Sequence, residues 1–417
     1  MKLRALILVC GLLFARGQAS ANEKVADESI VDKLNVLQQQ IELLSAQLAL
    51  TKKEMSEMRV SLAAETANSK EADEKLDALA DNSMSVQDGW PSRTTMGGYG
   101  ELHFNMLENQ DDGVSKNTVD FHRFVLFFGH EFDEKLRFFS EFELEHALAG
   151  EGKPGEVELE QAYIQYDLNE NMSAQAGMFL IPAGIMNETH EPPTFYGTER
   201  NPVEKNIIPA TWWAAGVGVS GEFMPGVSYD MAVHSGLNTS EGQAYKPRSG
   251  RQKVAKAKMN DAAITGRIKY TAVPGLELAA TVQFQNDITQ GLDAAAGSAS
   301  LIEAHMDYEA GMFGLKALYA RWDLDGEGPA RIGADVQEGY YVESSYKLGE
   351  KAGVFARINR WDNAAGLALD SQYSQFDVGL NYWIHPDVVL KFDYQKQDTP
   401  ESKSSFDGIN FGIGYQF

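Results

Sequence analysis

From Thr94 to its last residue the chain alternates apolar and polar residues, with a period of two, in run after run. In "LRFFSEFELEH", Leu136, Phe138, Phe142 and Leu144 fall on one side, and Arg137, Glu141, Glu143 and Glu145 on the other. "GELHFNM" sets Leu102, Phe104 and Met106 against Glu101, His103 and Asn105. "AYIQYDL" sets Ala162, Ile164, Tyr166 and Leu168 against Gln161, Gln165 and Asp167, and "VVLKFDYQKQD" opposes Leu390, Phe392 and Tyr394 to Lys391, Asp393 and Gln395. The closing "INFGIGYQF" puts Ile409, Phe411, Ile413, Tyr415 and Phe417 opposite Asn410, Gly412, Gly414 and Gln416. Successive side chains of a strand point to opposite faces, so each run reads as a strand with one greasy face and one polar face.

The connections between runs are of two kinds. Tight ones occur at 133–135, 169–171, 224–226, 273–275 and 384–387; long, polar, glycine-rich ones occupy 108–118, 147–156, 238–260, 287–298, 325–335 and 362–371. Short and long alternate along the chain, as in a barrel with turns on one rim and loops on the other. Counting runs predicts about sixteen antiparallel strands, an even number as closed barrels of this kind require.

Which face looks outward follows from packing. The greasy faces carry Phe, Leu, Ile and Tyr in long strands across residues 93–417, too many to fill one small interior. Turned toward lipid they need no partner, while the polar faces line water. After Ala21 no apolar run reaches the ~20 residues of a membrane-spanning helix, but a barrel strand needs only ~9–11. The expected fold is therefore an all-β transmembrane barrel. The pairs Trp212-Trp213, Tyr340-Tyr341 and Tyr382-Trp383 suit interfacial girdles.

A different order precedes the barrel. Lys2 and Arg4 lead an apolar run to Phe14, and Ala19-Ser20-Ala21 ends it, which predicts a secretory signal peptide over 1–21. Cys10, the single cysteine, lies inside it, so the mature chain has neither disulfide nor thiol nucleophile. Residues 30–79 carry a heptad through Ile30, Leu34, Leu37, Ile41, Leu44 and Leu48, weakened at Thr51, Glu65 and Ser69. A sustained repeat of this kind predicts an α-helical coiled coil, a stem about 75 Å long within residues 22–92. A helix lying on the barrel is the alternative. "DNSMSVQDGWPS" breaks the repeat and serves as linker.

Charge and motifs exclude several functions. The net charge is −24, and residues 90–417 hold 46 acids and 26 bases, a balance that repels nucleic acid. Neither a G-x-S-x-G elbow nor H-E-x-x-H occurs, nor a phosphate-cradling glycine loop with its lysine. The eight histidines are scattered; His122 and His130 flank one strand, but spacing supplies no third ligand for zinc. No enzyme, cofactor or metal is expected.

One stretch, "GMFLIPAGIMNETHEPPTFYGTERNPVEKNIIPATWWAAGVGVSG", resembles the phosphate-selective porin O and P family: a G-x-F-x-x-P strand end, a long insertion with E-R, then a strand with spaced glycines. "GYGELHF", "DFHRFVLFFGHEF" and the final "YQF" fit the same pattern across residues 93–417. The resemblance implies a sixteen-stranded homotrimer in the outer membrane of a Gram-negative bacterium. The stem resembles that of the DcaP-like porins, associated with dicarboxylic acids, and would stand in the periplasm. A terminal Phe417 resembles the signal read by the barrel assembly machinery. Family members draw anions along a ladder of basic residues, whereas the third strand here carries Glu141, Glu143 and Glu145.

Selectivity is expected at residues 183–211, which lack strand pattern, contain Pro192, Pro193, Pro202 and Pro209, and can anchor through Phe195, Tyr196, Ile207 and Ile208. This loop is read as folding into the lumen with Glu188, Glu191, Glu199, Arg200, Glu204 and Lys205 at a constriction, where facing charges filter solutes. An outer loop packed on a neighbouring subunit is the alternative. Candidate lumen-wall charges are Arg123, Arg137, Glu141, Glu143, Arg357 and Lys391. The expected function is passive diffusion of small hydrophilic solutes, with anions such as phosphate or small carboxylates preferred. The rivals are a cation-preferring pore and an envelope tether anchored in lipid by the barrel.

Overall fold

The computed structural model describes residues 52–53, 92–111, 113–401 and 403–417. The expected signal peptide and the stem with its linker, apart from helical Lys52 and Lys53 and the single residue Ser92, lie outside the described residues.

Sixteen antiparallel strands close into one barrel in sequence order. They are β1 (Thr94–Asn109), β2 (Lys116–Glu131), β3 (Leu136–Glu145), β4 (Val157–Asn169), β5 (Met172–Leu180), β6 (Trp213–Met224), β7 (Val227–His234) and β8 (Ala263–Tyr270). There follow β9 (Leu276–Gln285), β10 (Ala299–Ala310), β11 (Phe313–Leu324), β12 (Val336–Lys347), β13 (Ala352–Asp362), β14 (Tyr373–His385), β15 (Val388–Asp398) and β16 (Phe406–Gln416). Two one-turn helices, α1 (Pro202–Asn206) and α2 (Glu327–Arg331), sit in long loops. The tight turns include 311–312 and 348–351, and 399–405 joins the long loops, three connections that the sequence reading did not separate. The "MPG" and "VPG" turns place Gly226 and Gly275 at φ of 76° and 77°, the left-handed region that glycine enters without a steric cost.

The barrel closes where β1 meets β16, with Leu102 opposite Ile413, Phe104 opposite Phe411 and Met106 opposite Ile409. The Phe417 amide donates to the Gly98 carbonyl at 2.9 Å and the Gly98 amide to the Phe417 carbonyl at 3.0 Å, so the last residue is stitched into the ladder. Outward faces leave Val217, Met231, Ile264, Val282, Phe284, Ile302, Ile358, Phe376 and Phe392 exposed. Inward faces bury Thr265, Gln283, Glu303, Asn359, Asp377 and Asn410. Apolar outside and polar inside inverts the order of a water-soluble domain and suits lipid around a hydrated interior. Two bulges break the ladder next to the loop described below: one skips His122 opposite Glu101 and Leu102, the other skips Glu160 opposite Glu141 and Phe142.

The girdle reading of the aromatic pairs is corrected by the two-residue period. Neighbours on a strand face opposite ways, and only Tyr340 and Tyr382 look outward. Tyr341 is buried inside, the Trp383 indole donates to the Pro193 carbonyl, and Trp212 and Trp213 are both buried.

Candidate functional site

The connection between β5 and β6, residues 181–212, turns inward and fills much of the barrel. Its entry is clamped by one side chain: Asn187 donates to the carbonyls of Ile181 (2.7 Å) and Trp212 (3.0 Å) and accepts from the Trp212 amide (2.6 Å). Val203, Ile207, Ile208 and Trp212 pack with Leu237, Tyr245, Ile288, Leu301, Leu318, Trp322 and Tyr341 in one apolar cluster inside the lumen. The Trp322 indole donates to the Ile207 carbonyl at 2.9 Å. On the opposite side the wall comes close enough to require glycine. A β-carbon at Gly412 would lie 2.9 Å from Thr198 Cγ2, and one at Gly414 would overlap Pro192.

The expected constriction charges have different fates. Glu204 is corrected: it does not face the lumen, because it is fully buried as the brace of its own loop. It accepts from the amides of Ile185 (2.9 Å) and Met186 (2.6 Å) and from the Tyr341 hydroxyl (2.9 Å), while Asn201 caps α1 by accepting from the Glu204 amide. Burial pushes its carboxyl up, against these donors. Glu188 is spent on Arg267 of β8, which also holds Asp230 at 2.7 Å. Glu199 accepts from His103 and Asn105, each at 3.0 Å. Burial opposes its charge, yet the hydrogen bond and charge of His103 hold its carboxyl well below the usual range. Glu191, half-buried, makes no side-chain cap to the short 3-10 turn it precedes.

The wall charges also meet the loop. Arg123 reaches Glu101 at 2.7 Å and Glu143 at 3.7 Å; Glu141 lies 3.4 Å from His190 and accepts from Gln161 at 2.7 Å. Arg357 pairs with Glu343 and Asp377, both at 3.1 Å, and the Lys391 ammonium sits 3.3 Å from the centre of the Phe195 ring. The Thr198 amide donates to Asp393 at 2.7 Å, and Asn381 donates to the Phe195 carbonyl at 2.9 Å. Arg123 and Glu143 thus pair within the wall, and Arg137 stands further off, paired with Asp167 at 2.5 Å beside the short turns.

Arg200 and Lys205 do not stand alone. The long loop 235–262 brings Arg248 and Arg251 to them. Arg248 donates to the Ala210 carbonyl (2.8 Å) and the Lys205 carbonyl (3.3 Å); Arg251 donates to the Thr211 carbonyl (2.5 Å) and lies 5.8 Å from the centre of the Trp213 ring. Arg200 donates one N–H to the Thr211 hydroxyl at 2.7 Å, and its buried Nε and Nη2 find no partner in the protein. Enclosure by the surrounding walls lowers Lys205 and Arg248, and mutual repulsion adds to it: Arg248 and Arg200 act on Lys205, Arg251 and Arg200 on Arg248. The same loop 235–262 reaches β4, where Lys253 bridges to Glu156 (2.6 Å) and Glu158, and the charges of Glu158, Glu160 and Glu145 act on Arg251. Four bases on two loops thus face an acidic wall on β3 and β4.

Sequence reading passed over Arg248 and Arg251, although a signal was present. Residues 246–258, "KPRSGRQKVAKAK", hold six bases and no acid in a chain of net charge −24. A basic run against so acidic a background marks a segment whose charge has local work to do.

Comparison with known proteins agrees with this architecture. The family description "Gram-negative porin" matches residues 60–402. A protein of Aquifex aeolicus (strain VF5) without an assigned name is 30% identical over 350 residues, covering 75% of this chain and 77% of that one. The outer membrane channel DcaP of Acinetobacter baumannii superposes with a TM-score of 0.53 at 14% identity, over 78% of this chain and 97% of DcaP. The anion-selective porin from Comamonas acidovorans gives 0.56 at 13% identity, over 78% and 99%. OmpF of Salmonella typhi, in complex with daunomycin, gives 0.57 at 16%, over 79% and 99%. At these identities the structures share the fold.

Proposed function

This chain belongs to the Gram-negative porin family of the outer membrane, and on that premise we propose that it is an anion-preferring diffusion channel. One observation carries the reading: Arg200, Lys205, Arg248 and Arg251, from two different loops, converge inside the barrel, where Arg248 donates to the Lys205 and Ala210 carbonyls and Arg200 and Arg251 both bind Thr211. A cluster of bases so placed attracts an anion into the passage and offsets part of the cost of shedding its water shell. The acids of β3 and β4 opposite orient the solute across the passage. Small carboxylates and phosphate fit this chemistry, and the anion-selective porin among the structural neighbours supports it. Passage is read as passive diffusion of the solute along its own gradient through the lumen.

Around this channel we place the remaining expectations: a signal peptide removed after Ala21, a periplasmic stem that gathers three copies, and Phe417 as the handle for barrel assembly. A cation-preferring pore is the second reading, favoured by Glu141, Glu143 and Glu160, three acids on one wall that share Arg123 and His190 as their basic neighbours.

The test is the zero-current potential of the purified protein in a planar bilayer under a KCl gradient. The sign for chloride preference is expected, moving toward zero in Arg200→Ala and in Arg248→Ala/Arg251→Ala. A potential of the opposite sign in the unaltered protein hands the function to the acidic wall.

A further inference from the structure

We propose that Asp120, His122 and His146 form a binding site for a divalent transition-metal ion, with zinc as the probe, near the long-loop rim of the lumen. Asp120 and His122 lie on the first half of β2, and His146 follows the last residue of β3. His122 Nδ1 is 3.2 Å from Asp120 Oδ2, and His146 Nδ1 is 2.9 and 2.8 Å from the two carboxylate oxygens. One ligand atom from each of the three groups lies within 4.8 Å of the others. A tetrahedral zinc ion with bonds of ~2.0–2.1 Å spaces its ligand atoms about 3.3 Å apart, so small shifts suffice to admit it.

Three local features build the arrangement. Asp120 and His122 are two residues apart on β2 and so share one face, and the bulge leaves His122 without an opposite residue on β1. The His146 amide donates to the His122 carbonyl at 3.1 Å, which ties the loop residue to the strand. His103 stacks on the His122 ring at 4.7 Å and 14° and sets its plane, while the rings of His122 and His146 meet edge-on at 5.5 Å.

A second cluster among the described residues, Glu141, Glu160 and His190, is less suited. It is fully buried, and His190 Nε2 lies 3.4 and 3.9 Å from carboxylates that share their wall with Arg123. The Asp120 cluster is half-buried, open to an ion from solution, and Arg123 next to it is already neutralised by Glu101 and Glu143. Two imidazoles with one carboxylate, completed by water, suit Zn²⁺ better than Mg²⁺ or Ca²⁺, which prefer oxygen.

The experiment is equilibrium dialysis of the full-length protein in detergent against Zn²⁺ alone, with the bound metal counted, and Co²⁺ substitution read by visible absorption. One ion per chain and a tetrahedral Co²⁺ band are expected, both weakened roughly tenfold or more in His146→Ala and in His122→Ala. His146 lies outside the strand ladders, so its variant keeps the barrel; heat-modifiable migration on a gel verifies this. Zinc binding that survives both substitutions, binding lost only in His190→Ala, or no bound metal in the folded native protein each overturns the assignment.

Discussion

The two sides of the barrel interior hold the same loop by opposite means. Toward β10–β13, Val203, Ile207, Ile208 and Trp212 lie in an apolar cluster that excludes water. Toward β1–β4, the contacts are charged: Glu199 to His103, His190 to Glu141, and the bases of two loops facing Glu145, Glu158 and Glu160. Apolar burial is insensitive to where a solute sits and gives the loop its place. Charges left partly unpaired gain nothing from rigidity but respond to what passes, so the charged side is where we propose that selection occurs.

The largest effect is expected on the apolar side. Trp212→Ala should cost about 3–5 kcal/mol, as for other buried aromatic truncations, and loosen the loop. Urea unfolding in detergent should shift down while single-channel conductance rises and grows noisier. A variant as stable and as narrow as the native protein would mean that the charged side alone seats the loop. Next comes the brace. Glu204→Ala strands two amides and the Tyr341 hydroxyl, at about 1–3 kcal/mol for each group left buried. Limited proteolysis between Gly184 and Ala210 should begin in this variant and not in Lys205→Ala, which removes no hydrogen bond of the brace and is expected to matter by about 0.5 kcal/mol or less.

The smallest effect is on selectivity alone. Enclosure and the neighbouring Arg248 and Arg200 lower the affinity of Lys205 for its proton, and a lowered ammonium loses its charge as pH rises, sooner than an ordinary lysine at ~10.4. Anion preference should therefore begin to fall on the alkaline side below that value, with conductance little changed. Lys205→Arg should abolish the fall. An unchanged profile in that variant would move the titrating group elsewhere and detach Lys205 from the selective side.

Much of the frame was legible. The two-residue period gave the facing of Glu141, Glu143 and Lys391 directly, because the alternation is a property of the strand itself. Arg123 sits beside a bulge, and the apolar residues around it hid its facing. Prolines and the loss of pattern located the inward loop. Glu204 could not be told from Glu199 by any local sign: both are loop glutamates, and only Tyr341 and the Ile185 and Met186 amides make one of them a brace. The proposed zinc ligands were hidden for a related reason: the histidine that meets His122 is His146, which follows a different strand, and not His130 of the same one.

By itself, then, the sequence determined the strands, their number, the face each turns to lipid and the place where the regular pattern stops. These depend on side chains two residues apart and on turns of a few residues. Tertiary structure alone decided what the loop touches, which acids are spent on it, and which bases gather beside it. Thr198 meets Asp393 across 195 positions, and Asn381 meets Phe195 across 186. Such partners are chosen by barrel closure, which brings together residues that carry no local mark of one another.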